Sequence, residues 1–479
     1  MPLLVLLILL GIAVPASGQA TASVAQPPAQ AWRPNVINLT RVESWSFFDP
    51  PETGGDPDYT FIANRVRIGL SGTWKRVQIN GAIQYVQFGG LPTAATGPGF
   101  LGTGSLYYFH SSSTTSHGVY VPALNVRFSL PSGITLLAGR FGYTSGAEAP
   151  SGNARIEAIK RLRVDSRLVG DFEWSLYQRA FDGARADLDR RRWHLSAAYL
   201  RPTQGGFEES AGKSLGPVDL GAFTMTWRPD ALVPATDVAA FSYIYSDDRF
   251  VTTRPDNTGL AAPRARVSVA AFGASAIGSA RPGRVDLDWL GWYAQQTGSW
   301  YGQDHAAFSL AIEGGVQWPT GWQPWVRGGY LHASGDDDPG DDRHGTYFAM
   351  VPTVRRYSYT TIYAPMNLRD AFVEVVLRPS ARVRGRADVR RLWLAEGDDR
   401  WYAGSGATQS AGSFFGYAGR NSGGHTDFGT VIEGALDVSV GRRLSINGFF
   451  GAMNGGDVVS TLFRGSWARF GYFESVIQF

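Results

Sequence analysis

The 479-residue chain predicts an all-β fold. The expected form is a transmembrane antiparallel β-barrel of about 18 strands, with short periplasmic turns and long extracellular loops. Three observations carry this expectation. Apolar and polar residues alternate through segment after segment, and short turns take turns with long polar loops between them. The chain starts like an exported protein, and after residue 20 no run reaches the ~18 apolar residues of a membrane-spanning helix. It ends on an aromatic residue, Phe479, with Ile477 and Phe473 on the same face of the last segment. An exported chain without helical spans can still cross a membrane as a closed barrel, because every backbone polar group is then paired between strands.

Composition narrows the function classes. There is no Cys, which excludes disulfides, thiolate metal sites and Cys nucleophiles. Net charge is only +3, so any electropositive function must come from the arrangement of charges. No basic run alternates with aromatics, so no nucleic acid is expected as a partner.

Residues 1–20, with the apolar core Leu3–Val14 and small residues at Ala16-Ser17-Gly18 or Gly18-Gln19-Ala20, read as a signal peptide, although Lys and Arg are missing from its first residues. Residues 21–37, rich in Ala, Pro and Gln, form a periplasmic lead-in, and 38–479 form one barrel domain. Asn38–Phe48 is the first strand. Thr60–Leu70 sets Ile62, Val66, Ile68 and Leu70 against Arg65 and Arg67, and this period of two is the mark of a strand. Ser71–Trp74 turns into Lys75–Phe88, where Val77, Ile79, Ile83 and Tyr85 oppose Arg76, Gln78, Asn80 and Gln84. The Gly/Ser/Thr-rich stretch Gly89–His117 is a loop. Gly118–Leu130 turns at Pro131-Ser132-Gly133 into Ile134–Tyr143, with Leu124, Val126 and Phe128 opposing Asn125, Arg127 and Ser129.

Thr144–Ser175 is an external or pore-inserted loop, and it holds the one region of helical character, Asn153–Arg163. Tyr177–Leu188 turns into Arg192–Arg201. Leu220–Arg228 and Asp237–Ser246 are joined through Pro229–Thr236, and Arg266–Ile277 and Val285–Gln296 through Arg281-Pro282-Gly283. Ala306–Trp318 turns at Pro319-Thr320-Gly321 into Trp322–Ala333. A loop, Ser334–Met366, acidic at its start, precedes Asn367–Leu377. Arg378-Pro379-Ser380 leads into Ala381–Leu394, Thr426–Val440 turns into Arg443–Met453, and Trp467–Phe479 ends the chain. Trp45, Tyr85, Trp193, Tyr199, Trp292, Trp318, Trp322, Trp393 and Trp467 lie near strand ends and suit interfacial girdles.

A membrane barrel turns its apolar face to lipid, where a charge costs about 2–4 kcal/mol at mid-depth. Arg65, Arg67, Arg76, Arg127, Arg179 and Arg185 therefore point inward. So does the row Arg382, Arg384, Arg386 and Arg390 in Ala381–Leu394, with Asp388 in its phase and Val383, Ala387 and Val389 opposite. Glu374, Glu433 and Asp437 face inward by the same rule. Arg391, out of phase, belongs near the outer rim with Trp393. Two roles stand open for the inward charges. They can pair across strands and brace the wall, or form a positive constriction that attracts anions. A mixture is also consistent, in which carboxylates steady the guanidinium groups while the remaining donors meet the solute in bidentate fashion.

Arg161–Arg185, RLRVDSRLVGDFEWSLYQRAFDGAR, resembles the alginate export outer-membrane porins, which carry an R-x-F-D-G segment followed by a basic residue. Thr430–Gly456, with Glu433-Gly434-Ala435-Leu436-Asp437 and Met453-Asn454-Gly455-Gly456, resembles the late strands of that family, and Trp401-Tyr402…Ser405-Gly406 is a weaker echo. The resemblance covers about Arg161–Phe479. It implies an 18-stranded barrel with an electropositive pore that passes a polyuronate from periplasm to exterior, with Arg179, Arg185 and the row arginines contacting carboxylates. The expected function is an outer-membrane channel for anionic saccharides. The alternatives are a general or uptake porin for other anionic solutes, and a plugged structural or adhesive barrel. Expected partners are an anionic polysaccharide or oligosaccharide, outer-membrane lipids, the barrel-assembly machinery acting on Phe479, and periplasmic export proteins.

Enzymatic chemistry finds no support. The seven His residues fall mostly in loops, without metal-ligand spacing. Gly212-Lys213-Ser214-Leu215-Gly216 matches a nucleophile elbow in letters, but Pro217 follows directly and no strand and helix flank it. Asp336–Asp342 lacks the ligand spacing of a calcium loop. No cofactor and no metal are expected.

Overall fold

The structure is a computed structural model that describes residues 31–52, 54–97, 103–229, 235–249, 256–257, 266–353, 358–360, 362–404, 406–407 and 416–479. The expected signal peptide and most of the lead-in lie outside these residues. Among them, 18 strands close into one antiparallel barrel. They are β1 (Ala31–Ser46), β2 (Asp58–Trp74), β3 (Val77–Gly89), β4 (His117–Ser129), β5 (Ile134–Phe141), β6 (Phe181–Asp189), β7 (Trp193–Pro202), β8 (Val218–Trp227) and β9 (Thr236–Asp247). The second half is β10 (Val267–Ala280), β11 (Asp286–Trp300), β12 (Gln303–Gln317), β13 (Trp325–Ala333), β14 (Leu368–Ser380), β15 (Val383–Leu394), β16 (Asp427–Ser439), β17 (Leu444–Gly455) and β18 (Trp467–Gln478). Strand β1 begins at Ala31 and so takes up the end of the stretch read as lead-in.

Closure needs the last strand to find the first. Arg41 lies opposite Glu474 and Val42 opposite Phe473. Phe479 then completes the seam, donating its N–H to the Val36 carbonyl at 2.9 Å and accepting from the Val36 N–H at 3.1 Å. A barrel sealed in this way leaves no strand edge to lipid.

The connections alternate as the sequence indicates, with one exception. Strands β11 and β12 run on to Trp300 and Gln303 and meet in a two-residue turn at the long-loop end. Both turn residues are left-handed, Tyr301 at φ 51 and Gly302 at φ 91, which is the geometry of a twisted two-residue hairpin. The stretch between Gln296 and Ala306 is therefore strand and turn, where the alternation left a gap.

Alternation sets the two faces. Ile68, Leu70, Ile83, Val373, Val389 and Ile432 are exposed on the outside, and Trp32, Trp74, Trp227, Trp318 and Trp322 are exposed towards the short-turn end. Tyr199 and Trp467 are exposed towards the long-loop end. Trp45 and Trp292 depart from the girdle expectation, because their phase turns them inward. Trp45 stacks on Phe470 at 4.0 Å between ring centroids, and Trp292 lies under the Arg167 guanidinium at 5.0 Å. Arg391 does face outward, where it meets Asp427 at 2.5 Å and the Trp393 ring at 5.4 Å.

The barrel is filled from its long-loop end. Residues 142–180 turn inward and reach the opposite mouth, where Arg228, just past β8, donates to the Pro150 carbonyl at 2.7 Å. There the insert forms a helix, Ala154–Ile159, which lies within the region expected to be helical. Asn153 caps it, its Oδ1 accepting the N–H of Arg155 at 2.8 Å and of Ile156 at 3.2 Å. A π turn, Lys160–Val164, starts the return. The described residues of a second loop, 334–353, 358–360 and 362–366, fold in above it. Val351 and Leu168 bond backbone to backbone, as do Thr353 and Ser166. Two further helices, Thr103–Ser111 and Asp457–Ser460, occupy loops that showed no helical period.

This placement of faces predicts the cost of a charge outside. Val389→Arg should lower the unfolding free energy in lipid vesicles by about 2–4 kcal/mol. Val389→Leu should stay within about 0.5 kcal/mol. Guanidinium titrations of the refolded barrel measure both.

Candidate functional site

Charge divides the interior into two walls. On the β11–β16 side, charged residues line up across neighbouring strands: Arg327 beside Glu374, Glu374 beside Asp388, Asp388 beside Glu433, and Arg386 bridges the carboxylates. The insert brings its own arginines to this wall. Glu313 takes Arg163 Nε at 2.9 Å, Arg167 Nη2 at 3.3 Å and Arg327 Nη2 at 3.2 Å. Asp288 takes Arg327 Nη1, Arg155 Nη2 at 3.1 Å and the Trp325 indole N–H at 2.8 Å. Phe372 lies between two guanidinium groups, Arg163 at 4.2 Å and Arg390 at 4.9 Å from its ring. Charges buried this deeply are tolerated only when paired and hydrogen-bonded, and here they are. The set acts as a clamp that holds the insert to the wall.

Half of the arginine row, Arg386 and Arg390, belongs to this clamp. Arg386 binds Glu374 at 2.6 Å and Asp388 at 2.8 Å and lies over the Tyr359 ring at 4.5 Å. Arg390 is 0% exposed and binds Asp370 at 2.6 Å and Asp388 at 2.9 Å. Glu433 accepts from Ser358 Oγ at 2.6 Å, from the N–H of Thr360 at 2.7 Å and from the N–H of Tyr359 at 3.1 Å, tying down the second loop. The row was expected to form a wall with free donors. Instead Arg386 and Arg390 are spent on carboxylates, because the neighbouring strands supply Asp370, Glu374 and Glu433 in the same inward phase. Arg382 is exposed in the turn before β15, at the short-turn mouth. Of the row, only Arg384 reaches the interior without an ion-pair partner among the described residues, its Nε unsatisfied, with Asp437 opposite in register.

Arg179 was expected to face inward from a strand, Tyr177–Leu188. It lies in the returning arm of the insert, buried, donating from Nη1 to the carbonyls of Gly170 and Val351 at 3.0 Å each. It therefore joins the two infolded loops. Arg185 does face inward from β6, bound to Asp187 at 2.9 Å through Nε and to the Glu148 carbonyl at 2.9 Å.

The opposite wall, β16 to β18 and β1 to β6, is polar and more open. Arg65 and Arg127 face inward and have no ion-pair or hydrogen-bond partner among the described residues; Arg127 is exposed. Arg67 binds only amide oxygens, Gln84 at 2.7 Å and Gln178. Asn80 and Asn125 pair at 3.0 Å and Asn447 meets Glu474 at 3.1 Å along the same surface. Arg41 limits this wall above, bound to Glu474 at 2.7 Å and to the Trp174 carbonyl of the insert at 2.7 Å. Sequence reasoning missed Arg41, Asp288, Glu313 and Arg327, although each obeys the alternation that found the others. Arg163 and Arg167 sit in the insert, where no strand phase could reveal them.

In the outer loops, Asp399 is buried and accepts from Thr346 Oγ1 at 2.6 Å, Tyr402 OH at 2.7 Å and the N–H groups of Arg400 at 2.7 Å and Asp336 at 3.0 Å. Burial pushes its carboxyl up to about 6. Asp336, desolvated and facing Asp399, is pushed up to about 7.

A family model described as alginate export matches residues 160–459. The chain belongs to the alginate export family. No curated relative matches it. Among solved structures, it is similar to OccK2 (OpdF) of Pseudomonas aeruginosa at a TM-score of 0.56 and 8% identity, over 94% of this chain and 99% of that one. OccAB1 of Acinetobacter baumannii gives 0.56 and 8%, over 93% and 96%. OccK2 in complex with glucuronate gives 0.55 and 9%, over 94% and 97%. At such identities the likeness establishes the fold. As a member of the alginate export family with a closed barrel, the chain is an outer-membrane channel protein.

Two predictions follow for this alginate export family member. Glu313→Ala strips the shared partner from Arg163, Arg167 and Arg327, so the insert should lose about 3–5 kcal/mol of local stability. Hydrogen exchange over residues 160–168 reads the loss, and single-channel records should become noisier. The acidic pair gives a pH dependence. Folded Asp336 and Asp399 keep protons at pH values where the unfolded chain, titrating near 3.8, has released them. Their contribution is therefore complete below the unfolded value and is lost as pH rises through 6 and 7. Protection of residues 334–347, corrected for intrinsic exchange, should fall between about pH 5 and about pH 8, and Asp336→Asn should flatten that fall.

Proposed function

We propose that the channel is anion-selective and passes carboxylated saccharides of the polyuronate type, along the wall that carries Arg65, Arg67 and Arg127 and past Arg384 at the short-turn end of β15. One observation carries the reading: these guanidinium groups face the interior without a carboxylate bound to them, whereas the arginines of the opposite wall are neutralised by Asp288, Glu313, Asp370, Glu374, Asp388 and Glu433. A guanidinium with free donors offers a carboxylate a planar, bidentate partner and keeps its charge at any working pH. The glucuronate in one OccK2 complex is a uronate, which supports the same solute class. Arg185, with Asp187, borders the path and stays oriented by that pair. Flux runs from the short-turn side outward, as in export, and the protein performs no covalent chemistry.

A second reading has its own observation. Residues 142–180 and the described residues of 334–366 occupy the centre of the barrel, which fits a plugged structural or adhesive protein.

Reversal potentials in a salt gradient across planar bilayers separate the two. The wild type should prefer anions. Exchanging Arg65, Arg67, Arg127 and Arg384 together for Gln should reduce the anion-to-cation permeability ratio severalfold, while Arg390→Gln should chiefly weaken the fold. Cation preference in the wild type contradicts the anion path, and no current at all favours the plug.

A further inference from the structure

At the short-turn mouth, beside the tip of the insert, lies a recess of about 990 Å³ lined by Arg155, Arg281 and Arg378 together with Asn153, Gln317 and Gln323. Its size falls within the range of sites that hold a small ligand. We infer that this recess is a loading site for the acidic end of a saccharide chain, occupied before the chain enters the arginine wall. The inference rests on the anionic-saccharide reading above and adds to it a place and a direction.

The chemistry of the lining is the first argument. Three guanidinium groups face one carboxylate, Asp286, which is already held by Arg281 through Nε at 2.5 Å and Nη2 at 2.9 Å. Arg378 is exposed and has no ion-pair or side-chain hydrogen-bond partner among the described residues, and Arg155 keeps a buried Nε without one. The lining therefore has a surplus of positive charge and free donors of the kind that bind carboxylates in pairs. Gln323 adds an amide that can meet sugar hydroxyls, while Gln317 holds Arg155 from its Oε1 and the Gln323 carbonyl from its Nε2.

Position is the second argument. Arg378 stands at the rim in the inward phase of β14 and lies within electrostatic reach of Arg384, the one row arginine that reaches the interior without an ion-pair partner among the described residues. A carboxylate released from Arg378 thus has its next cation deeper in the barrel. Arg155 links the recess to the clamp through Asp288, so its side chain is held in place from behind.

Current block by an oligouronate tests the inference. The probe is a hexa-uronate added to one chamber at a time, with a neutral hexasaccharide as control. Block should be stronger from the short-turn side. Arg378→Gln should raise the blocking constant from that side about tenfold, as loss of one charge-assisted bond implies, and leave block from the other side unchanged. Block that is equal from both sides, matched by the neutral sugar or indifferent to Arg378→Gln overturns the loading site, even in a channel that remains anion-selective. A wild-type channel without anion preference overturns the parent reading instead. If the barrel carries no current, calorimetric titration of the detergent-solubilised protein decides: the hexa-uronate should bind, Arg378→Gln should weaken that binding about tenfold, and unchanged binding overturns the site.

Discussion

A guanidinium group withdrawn from water must find acceptors, and where the neighbouring strands supply carboxylates this requirement divides the barrel. Arg163, Arg167 and Arg327 converge on Glu313, while Arg386 and Arg390 share Asp388. Without these pairs the insert could not lie against the wall, since each buried charge left alone would cost several kcal/mol. With them, the charges of one wall cancel. The arginines of the other wall, Arg65, Arg67 and Arg127, together with Arg384 at the short-turn end of β15, carry no bound carboxylate and define the field that a solute meets. The same residue type thus acts as brace on one side and as attractant on the other, and the difference lies in what the adjacent strands place in the same phase.

Much of this was legible in the alternation. A period of two gave the strand count, the short-turn end and the inward phase of Arg65, Arg67, Arg127, Arg185 and Arg384, because a charge facing lipid is too costly to be accidental. Register was not legible. Whether Arg386 meets solute or Glu374 depends on how β14 slides along β15, and their bulge between Leu377 and Ser380 leaves no trace in the pattern. The insert was legible only in outline. Helical character was expected over Asn153–Arg163, but nothing in the stretch told that its arginines would cross the barrel to Glu313. Tyr301-Gly302 shows the converse error, a turn so tight that the residues around it read as a loop.

The two infolded loops shape the path as well as narrowing it. The insert leans on β10 to β15 and also meets the far wall, at Arg41 with the Trp174 carbonyl and at Arg67 with Gln178. Gln84 makes a further contact, donating to the Leu176 carbonyl at 3.1 Å. Below these points the open wall carries Asn80, Asn125 and Asn447 between the arginines, so a hydrated acidic chain finds hydrogen-bond partners at each step down the field. Carboxylates on this side, Asp187 and Glu474, are bound to Arg185 and Arg41 and hold them in position.

The absence of cysteine from the chain allows a direct test of which wall bounds the water path. Single cysteines introduced as Asn80→Cys and Asn447→Cys stand on the open wall, and Ser309→Cys stands on the clamped wall, buried beneath the infolded loops. A negatively charged, water-soluble thiol reagent should react at the first two and lower single-channel current, while Ser309→Cys stays inert. Reaction at Ser309→Cys with no effect at Asn80→Cys and Asn447→Cys would place the path on the clamped side and contradict the account.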